Sequence, residues 1–492
     1  MRAPLRQGGA LLVCIVLLGI GLRFATLGVQ SFSDDELFTA WLVKMPLGDM
    51  LSTIPRSERT PYLFYLVEWA GARLFGTGEA GLRVLPAVFG AATVPVIYLA
   101  GAIGASRRVG LVAALFAAVS PFLIWYSQEA RSYAQLILLV AISFAFLIAY
   151  ARARTGRALA GWAVASALAV ATHYFALFLV LPEAAWVVAR GGGRPNVRVL
   201  FAAVPAAMTA ALVPLMLHQR GAVGDKLGGA GRSVVERLVA IPKNFLVGFA
   251  IPFEAVASAL AGLAAAVAVW LALRAARGDE LNLARAAGAL TAAGIAVPLV
   301  LALLGFDYLQ SRNTVATLVP VAIVLGVGFV AGRLGTTALV ILCIVSIVTY
   351  VGVASERRYQ RRDWRGAAQE LGPARTSRLV VFSPPFSNLG PFRIYYGRGT
   401  RDLPRAVPRV REIASIALAQ FKGFGPGAYN TPSGPAPRAP RGFRLVQIVR
   451  TSTYRLVRFQ ARHPLAPTAA ELLGVVFDHA PSVVVWQPGG RR

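Results

Sequence analysis

Three acidic side chains in succession, Asp34, Asp35 and Glu36, follow Ser33 just beyond the first long apolar run of the chain. Adjacent carboxylates repel one another unless a cation or a proton donor stands close by. A carboxylate so placed is suited to take a proton from a hydroxyl nucleophile, or to hold a divalent metal. Alternatively the acids are structural, because Asp and Glu in the first turn of a helix complement its dipole. A second group runs Trp125-Tyr126-Ser127-Gln128-Glu129-Ala130-Arg131-Ser132-Tyr133, shortly after Ser120-Pro121. Glu129 and Arg131 fall close to hydrocarbon, where charges are costly and are either functional or locally paired. An arginine there can grip a phosphate through two donors. His173, in Thr172-His173-Tyr174, is of a type more often hydrogen-bonded structurally than used as a ligand. Arg312, after Asp307-Tyr308, reads equally as a second phosphate contact or as an interfacial anchor. Lys226, Arg232 and Lys243, in the stretch 218–253, are weaker candidates.

The rest of the chain has to place these groups. Of its 492 residues 56% are hydrophobic and only 15% charged, which is more apolar surface than a soluble chain can hide. A bilayer solvates such surface directly. The net charge of +28 is nearly all arginine, since Lys44, Lys226, Lys243 and Lys422 are the only lysines. Many of the arginines sit in short loops instead of clustering on one soluble surface, so nucleic acid is not an expected partner. Spanning helices need about 20 apolar residues. Such runs lie near 10–28, 83–101, 109–126, 133–150, 159–172, 174–189, 199–217, 254–273, 286–304, 314–332 and 336–354. The fifth is short, and its boundary with the sixth falls at His173. The expected fold is an all-α polytopic membrane protein with about 11 transmembrane helices. Cys14 and Cys343 lie inside these runs, far apart, and are expected to be buried packing residues. Arg2 and Arg6 precede the first run, which is expected to be a retained helix, not a cleaved signal.

Arginines in short loops set orientation. With the N-terminus inside, the cytoplasmic loops carry Arg107 and Arg108, then Arg152, Arg154 and Arg157, then Arg190, Arg194 and Arg198. Arg274, Arg277 and Arg285 come next, and Arg333 last. Asp34, Asp35, Glu36, Asp49, Glu58, Glu68 and Glu79 all precede the second span, on the opposite side. The candidate polar groups converge on that outer side. Within the first external loop, 29–82, residues 37–43 and 62–75 are amphipathic and aromatic, as helices lying in the interface should be. Acids framed by them stand at the depth where a lipid-borne substrate presents its polar head. Past about residue 355 the chain is rich in Pro, Gly and Arg, with strand-length apolar runs at 378–383, 443–450, 454–460 and 482–486. Residues 363–371 suit one helix, and 423–441 reads as a loop. The expected organisation is a membrane domain, 1–355, and a small C-terminal extracytoplasmic domain of α/β or α+β type, 356–492.

Several segments then come in a fixed order: Asp35-Glu36, Thr60-Pro61-Tyr62-Leu63-Phe64-Tyr65, Gly81-Leu82-Arg83-Val84-Leu85-Pro86 and Phe89-Gly90. Tyr126-Ser127-Gln128-Glu129-Ala130-Arg131-Ser132-Tyr133 follows, and late in the chain Arg361-Arg362-Asp363-Trp364-Arg365-Gly366-Ala367-Ala368. This succession resembles the GT-C glycosyltransferases of the protein O-mannosyltransferase and aminoarabinose transferase type, over the membrane region and the start of the tail. The resemblance implies a polyprenyl-phosphate sugar donor and inverting transfer to an acceptor (protein, lipid or glycan) outside the cytoplasm. It also implies that the catalytic acid lies in the first external loop. Asp35 matches the family's acid, Glu36 its neighbour, and Arg131 the arginine of the Glu-Ala-Arg-x-Tyr segment; Asp34 is an extra acid. Where relatives commonly show a His-Pro-Pro-Leu-like sequence, this chain has Arg59-Thr60-Pro61-Tyr62.

The expected site thus has Asp35 and Glu36 as catalytic residues, with Asp34, Tyr62, Glu129, Arg131, Tyr133, His173 and Arg312 binding substrate. A divalent metal stays open, and the expected location is a bacterial plasma membrane. In this scheme Asp35 takes the acceptor proton and Glu36 positions the acceptor or the base. Arg131, with Arg312 or His173, neutralises the leaving phosphate. A transporter or flippase would instead show paired inverted repeats, broken helices and charges near the bilayer midplane. The sequence has no repeat, and its acids lie at the outer edge. A non-catalytic assembly protein would leave the acidic loop without a purpose.

Overall fold

The computed structural model describes residues 3–223, 233–383, 392–397, 399–421, 429–430, 437–477 and 483–489. Contacts divide the chain into two compact units, Met1–Leu27 with Met45–Val351, and Gly28–Lys44 with Gly352–Arg492. Hydropathy alone keeps residues 28–44 with the apolar helices. The contacts instead give that acidic segment to the tail.

In the first unit every apolar run is helical, as buried or lipid-facing backbone must be where water offers no hydrogen bonds. The helices are Ala3–Phe24, Glu79–Gly104, Arg107–Val119 with Pro121–Ser127, Tyr133–Ala153, Gly156–Thr172 and Leu177–Arg190. Pro195–Val223, Glu254–Arg274, Gly278–Leu303, Leu318–Phe329 and Gly332–Ser355 complete them. The chain is a multi-pass membrane protein. Among the described residues six helices are long and apolar enough to cross a membrane, or seven if the bent pair counts as one span. Each of the eleven expected runs carries a helix, and six or seven of these reach spanning length among the described residues. Gly156–Thr172 falls short because it stops at His173, where a single 3-10 turn, Tyr174–Ala176, intervenes before the next helix. Cys14 is exposed and Cys343 half-buried, against the expectation of core packing. On a lipid-facing surface an apolar side chain gains little from burial in protein.

The third run bends by 60° between Arg107–Val119 and Pro121–Ser127. Pro121 has no N–H to offer the carbonyl of Ala117. Arg23, fully buried at the end of the first helix, supplies donors instead: Nη2 to Ala117 O at 2.9 Å, Nη1 to Ala118 O at 3.0 Å and Nε to Ser127 Oγ at 3.1 Å. Gly90 makes room for this, since a Cβ there would stand 1.9 Å from Ser127 Oγ. Gln128 Nε2 then donates to Arg23 O at 2.9 Å and to Thr26 Oγ1 at 2.7 Å. The turn carrying Glu129 and Arg131 is thereby tied to the end of the first helix.

Arg152 pairs with Asp279 at 2.5 Å, and Ser106 donates to Glu280 at 3.4 Å, so three of the loops read as cytoplasmic meet at one end of this unit. Arg131 and Tyr133 lie at the other end of helix Tyr133–Ala153, roughly 30 Å away at 1.5 Å per residue. The stretch 218–253 is not a plain loop, because it holds helix Val234–Val247. Lys243 on that helix pairs with Glu254 at 2.7 Å, and Arg237 pairs with Asp307, so both are structural. Lys226 and Arg232 lie outside the described residues. The stretch 29–82 carries the foreseen helix Tyr62–Phe75 and an unforeseen one, Leu47–Ser57.

The second unit is built on a sheet of β1 (Arg378–Ser383), β2 (Arg401–Asp402), β3 (Val410–Leu418), β6 (Arg444–Arg450), β7 (Tyr454–Leu465) and β8 (Val483–Gln487). The order is β2-β8-β1-β3-β7-β6, with β1 and β3 parallel and the other pairs antiparallel; β4 (Gln420–Phe421) and β5 (Tyr429–Asn430) form a separate ribbon. Leu379, Val381, Ile413, Val457 and Phe459 make its core. Helix Trp364–Leu371, capped by Asp363, packs on β3 and β7. Helix Asp34–Leu42 belongs to the same unit.

Candidate functional site

In the second unit, Ser33 caps helix Asp34–Leu42 through a reciprocal capping box. Ser33 Oγ accepts from Glu36 N–H at 3.3 Å, and Glu36 Oε2 accepts from Ser33 N–H at 2.8 Å. The same Glu36 oxygen faces Arg361 Nε at 3.6 Å, both side chains being buried. Arg361 is fixed in turn by Gln30 Oε1, which accepts from its backbone N–H at 3.1 Å and its Nη1 at 3.2 Å. Asp34 is held on both oxygens, by Trp364 Nε1 at 2.8 Å and by Arg362 Nη1. Arg362 Nε reaches Ala419 O at 3.1 Å, and Arg365 donates to Val29 O at 2.7 Å. Burial pushes the Asp34 carboxyl above its usual range, and Asp35 adds to the push; Arg362 and the Trp364 indole pull it back. Asp35 lies half-buried between its two committed neighbours.

The structural reading of the acids is realised in the capping box, and the cations that adjacent carboxylates call for are Arg361 and Arg362. Glu36 is completely buried. Arg361, Arg362 and Trp364 were visible in the sequence only as a motif without a role. Their density of arginine was the available signal.

In the first unit, Arg131 Nη2 donates to Glu58 at 3.0 Å, with both side chains largely buried. Tyr65, whose hydroxyl shares a hydrogen bond with Thr60 at 3.1 Å, stands beside the same pair, and burial raises its phenol well above the ordinary value. Tyr133 lies 5.5 Å from the His173 ring, and Tyr126 lies 4.6 Å from Tyr133. His173 Nδ1 accepts the N–H of Phe175 at 3.2 Å. Burial, then the positive charges of Arg131 and Arg312, lower its pKa to about 3. The lowered value favours the neutral ring, in which one nitrogen carries an N–H. Arg312 is braced by Gln310 at 3.0 Å. Glu129 is buried in the turn that carries Arg131. Burial, and then Tyr62, raise the Tyr174 phenol, whose hydroxyl donates to Gln219 at 2.8 Å. Sequence reasoning missed Glu58 as the partner of Arg131. Among the described residues no three His, Cys, Asp or Glu side chains converge to hold a metal ion.

Residues 59–218 match the sequence model of the dolichyl-phosphate-mannose-protein mannosyltransferase family. No curated protein matches the chain in sequence. Among solved structures, apo ArnT from Cupriavidus metallidurans aligns over 91% of this chain and 97% of its own, at 12% identity and TM-score 0.53. The same protein bound to undecaprenyl phosphate aligns over the same shares at 14% identity and TM-score 0.51. The chain has the ArnT fold. AglB from Archaeoglobus fulgidus, in complex with an inhibitory peptide and a dolichol-phosphate, aligns over 83% of this chain and 69% of its own, at 14% identity and TM-score 0.48. At that score it adds no weight. The resemblance to PMT/ArnT-like GT-C proteins read from the sequence is borne out. The family match takes in Tyr62, Glu129, Arg131, Tyr133 and His173; it begins after the acids at 34–36 and ends before Arg312.

Proposed function

We propose that this protein is a membrane glycosyltransferase moving a sugar from a polyprenyl-phosphate donor to an acceptor hydroxyl on the extracytoplasmic side, with inversion. One observation carries the proposal: Arg131 and Arg312 both bear on a buried histidine at one end of an apolar helix bundle with the ArnT fold. A phosphate carried by a lipid reaches such an end along the bilayer. As the sugar leaves, that phosphate gains negative charge, so fixed cations stabilise the transition state more than the ground state.

Asp35 is assigned as general base. The acceptor hydroxyl gives its proton to the Asp35 carboxylate as its oxygen bonds the anomeric carbon. The bond from that carbon to the phosphate oxygen breaks, and the electron pair departs with polyprenyl phosphate. Attack opposite the leaving group inverts the centre. Glu36 steadies the helix that carries the base; Tyr62, Glu129, Tyr133 and the His173 N–H are assigned to substrate. Extracytoplasmic placement is supported by the arginine-bearing loops that meet at the other end of the helical unit.

The test is incubation of the purified protein with a panel of polyprenyl-phosphate sugars and hydroxyl acceptors, with and without chelator. Inverted product is expected with at least one donor, and Asp35→Asn is expected to abolish it without changing thermal unfolding. Full transfer by Asp35→Asn would remove the assignment. Loss of product on chelation would give a divalent metal a part in the reaction.

A further inference from the structure

Asp34, Asp35 and Glu36 are the first three residues of helix Asp34–Leu42. Their side chains leave the helix axis in steps of about 100°, so Asp35 bisects the angle between the other two. Holding the outer two therefore sets the direction of the middle one. Both outer acids are taken by consecutive arginines of one tail segment, Asp34 by Arg362 with Trp364 and Glu36 by Arg361. The holders are themselves held. Gln30 fixes Arg361, Ala419 O receives Arg362, and Trp364 sits against Phe382 at 5.9 Å and Phe392 at 5.4 Å. From helix Arg393–Tyr396, Tyr395 accepts the N–H of Phe32 at 2.8 Å. Among the described residues the charged and titratable groups about this turn include the three acids, Arg361, Arg362, Arg365 and Tyr395.

We propose that Arg361, Arg362 and Trp364 are positioning residues: they grip the acids on either side of Asp35 and so aim its carboxylate at the acceptor hydroxyl. This rests on Asp35 being the base of the proposed reaction. It gives the tail a part in the chemistry, where the sequence left its role open among acceptor recognition, shielding and polymer binding. The helix keeps its own cap at Ser33, so losing one arginine loosens the direction of Asp35 before it unfolds the helix.

The decisive variant is Arg362→Gln. Its kcat is expected to fall about 10- to 100-fold, the cost of a misdirected reacting group, while the donor KM stays within about twofold. Arg362→Lys, which keeps the charge but cannot bridge Asp34 and Ala419 O together, recovers part of the loss. The acidic limb of the pH–activity profile moves to higher pH in Arg362→Gln, because two adjacent carboxylates without their cation ionise less readily. Asp34→Asn moves it to lower pH by removing one of two like charges. The double variant is no worse than Arg362→Gln alone, since the grip is lost only once.

A readout independent of transfer is carbodiimide-driven amine labelling of the intact protein, mapped by peptide mass spectrometry. Asp34 and Glu36 are expected to be protected in the wild type, and Asp34 labelled several-fold more in Arg362→Gln. Unchanged Asp34 labelling, or wild-type kcat with an unmoved acidic limb in Arg362→Gln, overturns the grip and leaves the proposed function standing. Full activity in Asp35→Asn removes Asp35 as the base and with it the aim proposed for the grip, and the labelling contrast then decides separately whether the grip exists.

Discussion

Arg131 illustrates how much one side chain has to satisfy here. It is bound to Glu58 and also bears on His173. Arg131→Ala is expected to lower kcat by about 10²- to 10³-fold, the usual cost of removing one donor from a developing anion. Arg131→Lys should recover little, because an ammonium cannot serve a carboxylate and a phosphate in one plane as a guanidinium can; steady-state kinetics with a fixed donor checks both. His173 makes a prediction about stability. Its folded pKa of about 3 lies below the ordinary 6.5, so the unfolded chain binds a proton between these values and the folded chain does not. Stability is then complete above pH 6.5 and drains away as pH falls toward 3. His173→Gln is expected to flatten the fall in melting temperature between pH 6.5 and about 4, and an unchanged slope would show that the ring is charged in the fold. The sequence named His173 and Arg131 from their residue types and their place at helix ends. It could not pair Arg131 with Glu58, 73 positions earlier, because that contact exists only once the first loop has folded back.

At the scale of elements, the bent third helix turns a proline defect into a fixed turn. The carbonyl freed by Pro121 meets Arg23, and Arg23→Met leaves it unanswered inside the bundle. The expected loss is about 1–3 kcal/mol for each orphaned group, seen as a lower melting temperature in detergent. Pro121→Ala restores an N–H for Ala117 O and should recover part of the loss in the double variant; equal melting of the single and double variants would separate Arg23 from the break. Gly90→Ala is expected to be destabilising in the same assay, because the added methyl meets Ser127 at 1.9 Å. Ser120-Pro121 announced a break, but nothing in the sequence pointed to an arginine 98 positions earlier as its cap. The helical runs themselves were legible because lipid demands long apolar stretches. Strand β3 was not: in Val410-Arg411-Glu412-Ile413-Ala414-Ser415-Ile416-Ala417-Leu418 the helix formers Arg411, Glu412, Ala414, Ala417 and Leu418 outnumber the β-branched Val410, Ile413 and Ile416. Neighbours on both sides override that preference.

At the scale of the whole chain, the division into two units cuts across the order of the sequence. The tail after residue 355 reads as a separate domain, yet it forms one unit with residues 28–44. Truncation after Ser355 is therefore expected to leave the amides of helix Asp34–Leu42 exchanging rapidly with solvent while those of Tyr133–Ala153 stay protected; hydrogen exchange by mass spectrometry reads both. Equal protection of the acidic helix would mean that it stands without the tail. Four of the tail's strands and its first helix were legible from apolar run length. Their union with the acids was not, since charge pairing between remote segments leaves no periodic trace. Asp34 and Arg362 are 328 residues apart. At translation speeds of roughly 5–20 residues per second, the acids leave the ribosome about 16 to 66 s before the arginines that hold them. A nascent chain thus threads most of its helices into the bilayer with this trio of carboxylates unguarded, and the acidic turn takes its final form only after synthesis has run past residue 364.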